Sequence, residues 1–364
     1  MIKKNIAFFT TSTESIGPFN QVSELAISLS KKKYNVVVIV SSPIKKNVIV
    51  KKLLHNEIPI FSLNAKSFFN FFQLFRLIKI LKNNKCEIIH SRLRRADFYA
   101  NISKIFIEIT VINHIVDDYL NHFKNYHQYL SSILARIYMI AQKNVDAIIV
   151  NNKKNLQFYL NRDFKSFYLR NGVKIVKNDK LNSLLNKNVK SKFIIGYVGE
   201  FKKGKGIGLL IDIIKQFKND NDYNFVICGK GDYKKDKFLK EFKNYVNVDY
   251  CGYVENLEKK YLIFDTQIFT SKSEGMPNVL LESLSYGITP ICTDINAYNE
   301  IVSPNMGYII KSNPVEFYNK IKALKNNKKL TKNFKKACLM TIDKKFRFDN
   351  ITNELIQIYK GFDQ

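Results

Sequence analysis

Short apolar runs alternate with amphipathic stretches of helical length from one end of the chain to the other, and this pattern limits the fold more than any other feature. A strand buried on both faces reads as a continuous apolar run. Successive parallel strands need a crossover between them, usually a helix. In the first half the runs lie at 5–11, 35–42, 58–63, 87–92, 110–115 and 146–151; in the second at 193–198, 224–228, 248–252, 267–271, 289–293 and 307–310. Repeated βαβ units predict an α/β chain with doubly wound parallel sheets. Its 364 residues exceed one core and suit two domains. The polar stretch 178–189, rich in Asn and Lys and without clear periodicity, is the expected linker. Ligands bind such sheets at the carboxyl ends of the strands, so a cleft between two facing domains is the expected site.

Several classes are excluded. With 46% hydrophobic and 25% charged residues the chain is neither disordered nor of low complexity. Its longest apolar run, 105–116, is broken by Glu108, Asn113 and His114 and falls short of the roughly 18 residues a spanning helix needs. Lys3 and Lys4 precede a short apolar segment, but the polar stretch 10–15 cuts it too short for a signal peptide, and a cytosolic location is expected. Cys86, Cys228, Cys251, Cys292 and Cys338 are odd in number, far apart and without a CxxC pair, which predicts reduced thiols and no zinc site.

The charge is strongly basic, 59 Lys and Arg against 31 Asp and Glu, net +28. Nucleic acid or an anionic membrane surface would suit it. Only 8 of the cations are Arg, and the abundance of Lys, Asn and Ile is equally what an AT-rich coding sequence yields. The first 180 residues carry net +18 and the rest net +10, so the first half is the more cationic. Along 68–81, Phe71, Leu74, Phe75, Ile78 and Leu81 share one stripe, with Arg76, Lys79 and Lys82 elsewhere. Core packing is the expectation there, and a membrane-surface helix the alternative.

The densest candidate for chemistry runs from Ser271 to Glu282, after a strand and into a helix. Pro277 suits a first helical turn and Gly275 allows close backbone approach, so the amides of Met276 to Val279 would form an anion site. Glu274 and Glu282, eight apart, would lie about 80° apart around a continuous helix. A capping role for Glu274 and a solvated Glu282 are the plain alternatives. The turn from Gly199 to Gly206 could seat a phosphate, with Lys205 as a point charge, although it matches no Walker or dinucleotide fingerprint. Gly229 and Gly231 read as a tight turn. Gly17-Pro18 follows the first strand and opens a helix. His114 ends a strand, where it could exchange a proton or be structural. His90 ends another, followed by Arg92, Arg94 and Arg95, which could meet a phosphate or be solvated. Asp220-Asn-Asp222 has the form of a metal-binding DxD but lies at the wrong end of the sheet and reads as a turn.

These residues together resemble family 4 of the retaining glycosyltransferases, over nearly the whole chain. The most specific part is the E-x7-E motif of EGMPNVLLE with Ser285-Tyr-Gly287. Asn171-Gly-Val173, Lys205-Gly206, the GxG after Cys228, Gly252-Tyr-Val254 and the strand at 146–150 follow in the expected order. The resemblance implies the GT-B fold: two Rossmann-like domains facing across a cleft, residues 1–177 on the acceptor side and 190–345 binding the nucleotide-sugar, with a last helix (346–364) returning to the first domain.

It also implies roles. Glu274 would bind donor-sugar hydroxyls, and the amides of Gly275, Met276, Pro277, Asn278 and Val279 would surround sugar and diphosphate. Glu282 would bind the ribose hydroxyls. Lys205 and the Gly199 backbone would neutralise the departing diphosphate, and Tyr253 and Val254 would edge the base. His114 matches the family's histidine at the sugar, and Gly17 its glycine turn from the opposite domain. Two departures stand out: Glu200 where relatives place an Arg, and Gly17-Pro18 in place of a double glycine.

The implied function is transfer of a sugar, with retention, from a nucleotide-sugar (a UDP-sugar is expected) to a glycan or lipid-diphosphate-linked acceptor in bacterial cell-surface polysaccharide synthesis. No metal or nucleic acid is expected, and an anionic inner membrane surface is. A nucleotide-sugar epimerase of the same fold is the alternative enzyme. A hydrolase would need a second carboxylate placed as an acid, and a nucleic-acid-binding protein would need a recognition motif the sequence lacks.

Overall fold

The computed structural model describes residues 4–14, 16–65, 72–116, 138, 140–176, 192–218 and 220–362. The expected linker at 178–189 lies outside them. The chain forms two units: residues 1–172 with 348–364, and residues 173–347.

In the first unit, strands β1 (Asn5–Thr10), β2 (Asn35–Val40), β3 (Ile60–Ser62), β4 (Ile88–Arg92), β5 (Thr110–Ile115), β6 (Ala147–Val150) and β7 (Ser166–Tyr168) make one sheet, ordered β3-β2-β1-β4-β5-β6-β7, with every pairing parallel. The order reverses between β1 and β4, the switch point at which such sheets bind ligands. Helices α1 (Ile16–Lys31), α2 (Val48–His55), α3 (Phe72–Asn83), α4 (Arg94–Ser103) and α5 (Lys153–Leu160) fill the crossovers. Asn47 and Asn152 cap α2 and α5 by accepting from Val50 N and Asn155 N, which satisfies donors that a helix start leaves open. One sheet face buries Ile6 and Phe8 against Phe19, Val22 and Leu25, and the other buries Ala7 and Phe9 against Leu77 and Leu81.

The second unit repeats the design. Strands β8 (Phe193–Val198), β9 (Tyr223–Cys228), β10 (Val248–Gly252), β11 (Thr266–Phe269), β12 (Thr289–Thr293) and β13 (Tyr308–Ile310) are ordered β10-β9-β8-β11-β12-β13, all parallel, with the reversal between β8 and β11. Its helices are α6 (Ile207–Lys215), α7 (Lys235–Phe242), α8 (Glu258–Tyr261), α9 (Asn278–Ser285), α10 (Asn296–Asn299), α11 (Pro314–Asn326) and α12 (Lys328–Lys345). Helix α13 (Phe348–Lys360) packs into the first unit, where Ile351, Leu355 and Tyr359 are buried.

Two sequence expectations change. Strand β7 falls in no predicted run, because its three residues are half-buried at the sheet edge and carry no apolar block. On α3 the buried residues are Gln73, Leu74, Leu77 and Leu81, whereas Phe75 is 68% exposed and does not join the core stripe. Phe72, Phe75, Arg76, Lys79 and Lys82 face outward instead.

Candidate functional site

At the carboxyl end of the second sheet three loops are tied backbone to backbone. Gly199 N, after β8, donates to Cys228 O at 3.0 Å; Phe201 N donates to Lys230 O at 2.7 Å; Gly229 N, after β9, donates to Gly252 O at 2.7 Å. A Cβ on Gly229 would stand 1.9 Å from Gly199 O, so only glycine permits this approach. Gly206 caps α6 at φ +66°, and a Cβ there would stand 1.8 Å from Thr270 O, beyond β11. Thr270 Oγ1 donates to Lys205 O at 2.9 Å, and Lys272 N to Gly204 O at 2.8 Å. The loops after β8 and β11, which flank the switch point, are thereby joined.

That join brings Lys205 to Glu274. Lys205 Nζ donates to Glu274 Oε1 at 2.5 Å, and Ser271 Oγ donates to the same oxygen at 2.7 Å. Buried Tyr298 lies near this carboxylate; burial first, and then Glu274, push its phenol well above the usual range. Glu274 is thus held by a cation and a hydroxyl rather than as a helix cap. Pro277 is the residue before α9, extended at φ −76° and ψ 104°, and so precedes the first turn instead of forming part of it. Leu280 N donates to Pro277 O at 3.1 Å in the first turn of α9, and the start of the helix, at half-buried Asn278 and Val279, carries the positive end of its dipole. Gly275 is half-buried and Met276 buried just ahead of it.

Glu282 is half-buried rather than solvated. Tyr261 Oη, on α8, donates to Glu282 Oε2 at 2.9 Å. Burial pushes the Glu282 carboxyl up to about 7, against the pull of the Tyr261 bond. Tyr261 stacks on Tyr286 with ring centroids 5.1 Å apart. Tyr253 is exposed with Lys230 Nζ 5.1 Å above its ring, and Val254 packs beside Val226 and Cys228. Glu200 sits 3.8 Å from Lys202 Nζ at the surface. Asp220 and Asp222 form a turn ahead of β9: Asp222 N donates to Asp220 Oδ1 at 3.3 Å, and Asp222 pairs with Lys325.

In the first unit, Gly17 lies in the opening turn of α1, half-buried. His90, Arg92 and His114 project from the ends of β4 and β5, and all three are buried. His90 Nδ1 lies 2.6 Å from Tyr359 Oη on α13, and His90 Nε2 lies 3.2 Å from His114 Nδ1. Arg92 Nη2 donates to Asn171 Oδ1 at 2.9 Å, so Arg92 is not a solvated cation. Sequence reasoning missed Tyr261 and Tyr359. Each reaches its partner across the fold, 21 residues from Glu282 and 269 from His90. The two histidines were visible as strand ends; adjacent parallel strands would have been the signal that pairs them.

Among the described residues no group of three or more His, Cys, Asp or Glu is placed to hold a metal ion. All five cysteines are free. No helix among the described residues is long and apolar enough to cross a membrane.

Comparison with known proteins adds an independent line. The family model for glycosyl transferases group 1 matches residues 182–338, and that for glycosyltransferase family 4 matches residues 17–173. An uncharacterized 41.2 kDa protein in the cps region of Klebsiella pneumoniae is 27% identical over 78% of this chain and 82% of its own. A Campylobacter jejuni enzyme is 29% identical over 56% of each chain; its name describes transfer of N-acetylgalactosamine to a diphospho-undecaprenol-linked sugar. Among solved structures, Anabaena HepE in complex with UDP and glucose superposes with a TM-score of 0.80 over 99% of this chain and 100% of that one. At 15% identity this last likeness speaks for the fold alone.

Proposed function

The chain belongs to the group 1, family 4 glycosyltransferases of GT-B fold, and from that membership we propose that it moves a sugar from UDP to a glycan or lipid-diphosphate-linked acceptor, with retention, in cell-surface polysaccharide synthesis. The observation that carries the reading is the Lys205–Glu274 pair beside the start of α9, at the switch point of the second sheet. Breaking the anomeric bond leaves a diphosphate of growing negative charge, and fixed donors aimed at it lower the barrier. Lys205 and the start of α9 are such donors, whereas Gly199 N is already given to Cys228 O and shapes the turn instead. Glu274 and Glu282 then take sugar and ribose hydroxyls, and the base lies along Tyr253 and Val254; within the first unit, His114 and Gly17 are the residues this reading gives to substrate. The acceptor attacks the face the diphosphate leaves, and a departing phosphate oxygen takes its proton. The names of the Klebsiella and Campylobacter relatives support the polysaccharide role. The outward face of α3, with Phe72 and Phe75 beside Arg76, Lys79 and Lys82, supports an anionic membrane surface as a partner.

A thermal-shift titration with UDP, GDP, ADP and CMP on wild type and Glu282→Ala tests the donor site. UDP at about 100 times its dissociation constant should add roughly 2.7 kcal/mol to the wild type and much less to the variant. UDP-sugar incubated without acceptor separates an epimerase, which would change the sugar, from a transferase, which would not. A shift with a short oligonucleotide and with none of the nucleotides would overturn the proposal.

A further inference from the structure

The chain Tyr359–His90–His114 links helix α13 to the ends of β4 and β5, with contacts of 2.6 Å between Tyr359 Oη and His90 Nδ1 and 3.2 Å between His90 Nε2 and His114 Nδ1. Tyr359 is 2% exposed, and both histidines are 1% exposed. Burial, and then the Arg92 charge, hold His90 down at about 3; the same two causes, followed by His90, hold His114 well below the usual range. Both rings are therefore neutral near pH 7, and each carries one proton on one of two nitrogens.

Two self-consistent directions exist for such a chain. In the first, Tyr359 donates to His90 Nδ1, His90 Nε2–H donates to His114 Nδ1, and His114 carries its proton on Nε2. In the second every bond runs backwards: His114 Nδ1–H donates to His90 Nε2, and His90 Nδ1–H donates to Tyr359 Oη. Tyr359 would then have to place its own hydroxyl proton elsewhere, and among the described residues its one side-chain hydrogen bond is the one to His90. A buried O–H without an acceptor loses most of the value of that bond and is costly. The two mixed arrangements set proton against proton or lone pair against lone pair across 3.2 Å.

We propose that Tyr359 and His90 are positioning residues that lock His114 in the tautomer with its proton on Nε2, so that the site presents a neutral N–H donor to an oxygen of the substrate. His114 Nε2 is buried and without a partner among the described residues, so its acceptor comes with the ligand. A hydroxyl or ring oxygen of a sugar is the chemistry that fits, and this assignment rests on the glycosyltransferase reading. The tautomer itself does not.

The test is nitrogen-15 NMR of the imidazoles in the free protein, which a chain that binds no nucleotide would answer equally well. At pH 7 His114 Nε2 should show the protonated shift and Nδ1 the bare one, by at least about tenfold in population, the ratio one buried unpaired hydroxyl commands. Tyr359→Phe should collapse that preference to a mixture. A downfield Tyr359 hydroxyl proton coupled to His90 Nδ1 gives the same answer without any variant. Dominant Nδ1–H on wild-type His114, or tautomers unchanged in Tyr359→Phe, would overturn the proposal.

Discussion

Lys205 Nζ and Glu274 Oε1 stand 2.5 Å apart although 69 residues separate them in sequence. The cation proposed for the diphosphate is thus held in place by the carboxylate proposed for the sugar. Both side chains are partly buried, at 27% and 15% exposure, where an ion pair is screened less than at the surface. A bound diphosphate would share the lysine and leave Glu274 freer to accept from sugar hydroxyls.

Lys205→Ala should therefore weaken UDP binding by about tenfold or more, the scale of a charge-assisted hydrogen bond, while leaving uridine affinity unchanged. Calorimetric titration with both ligands checks this. Equal losses for both would mean that the lysine only supports the fold.

The Glu282 carboxyl, pushed up to about 7 by burial, would have to be ionised to accept both of the ribose hydroxyls proposed for it. UDP-glucose carries no phosphate that titrates between pH 5 and 8. Its dissociation constant should rise toward tenfold per unit as pH falls below 7 and level off above. Glu282→Gln should bind more weakly and show a flat profile.

The same shift acts on stability. Glu282 titrates near 4.5 when free and about 7 when folded, so its contribution is full below 4.5 and is lost as pH rises to 7. Glu282→Gln should match the wild type near pH 4.5 and exceed it at pH 8 by about 1–2 kcal/mol, allowing for partial exposure. Urea melts at the two pH values measure it.

Phe72→Ser with Phe75→Ser should lower partition onto phosphatidylglycerol vesicles by at least about tenfold, since each ring removed from water contributes over 1 kcal/mol. Binding of the wild type should weaken steeply with salt, as the adjoining cations of α3 require. Co-sedimentation reads both, and unchanged binding would remove α3 as the contact.

Gly206→Ala forces a methyl into Thr270 O at a backbone angle of φ +66°. It should cost about 3 kcal/mol and loosen Lys205 from Glu274, seen as a lower urea midpoint together with weaker UDP binding.

The strands were legible because parallel sheets buried on both faces write themselves as unbroken apolar runs, as at Phe193–Val198 and Thr289–Thr293, where the expected bounds coincide with the structure. Ser166–Tyr168 wrote no such run, since an edge strand only half leaves water. On α3 the sequence could not say which side of Phe75 met the sheet. A stripe of five apolar residues fits two rotations of the helix, and packing chose Leu77 over Phe75. The carboxylates Glu274 and Glu282 were visible through their spacing. Their partners Lys205 and Tyr261 belong to other crossovers, and nothing local marks such a pairing.

Helix α13 has a consequence for how the chain is made. Ile351, Leu355 and Tyr359 fill the core of the first unit, yet they follow the whole of the second unit along the chain. On the ribosome the earlier-made unit therefore waits with an open seam while the later one is synthesised and can already fold. His90, beside that seam, gains its contact with Tyr359 only after the second unit has been made.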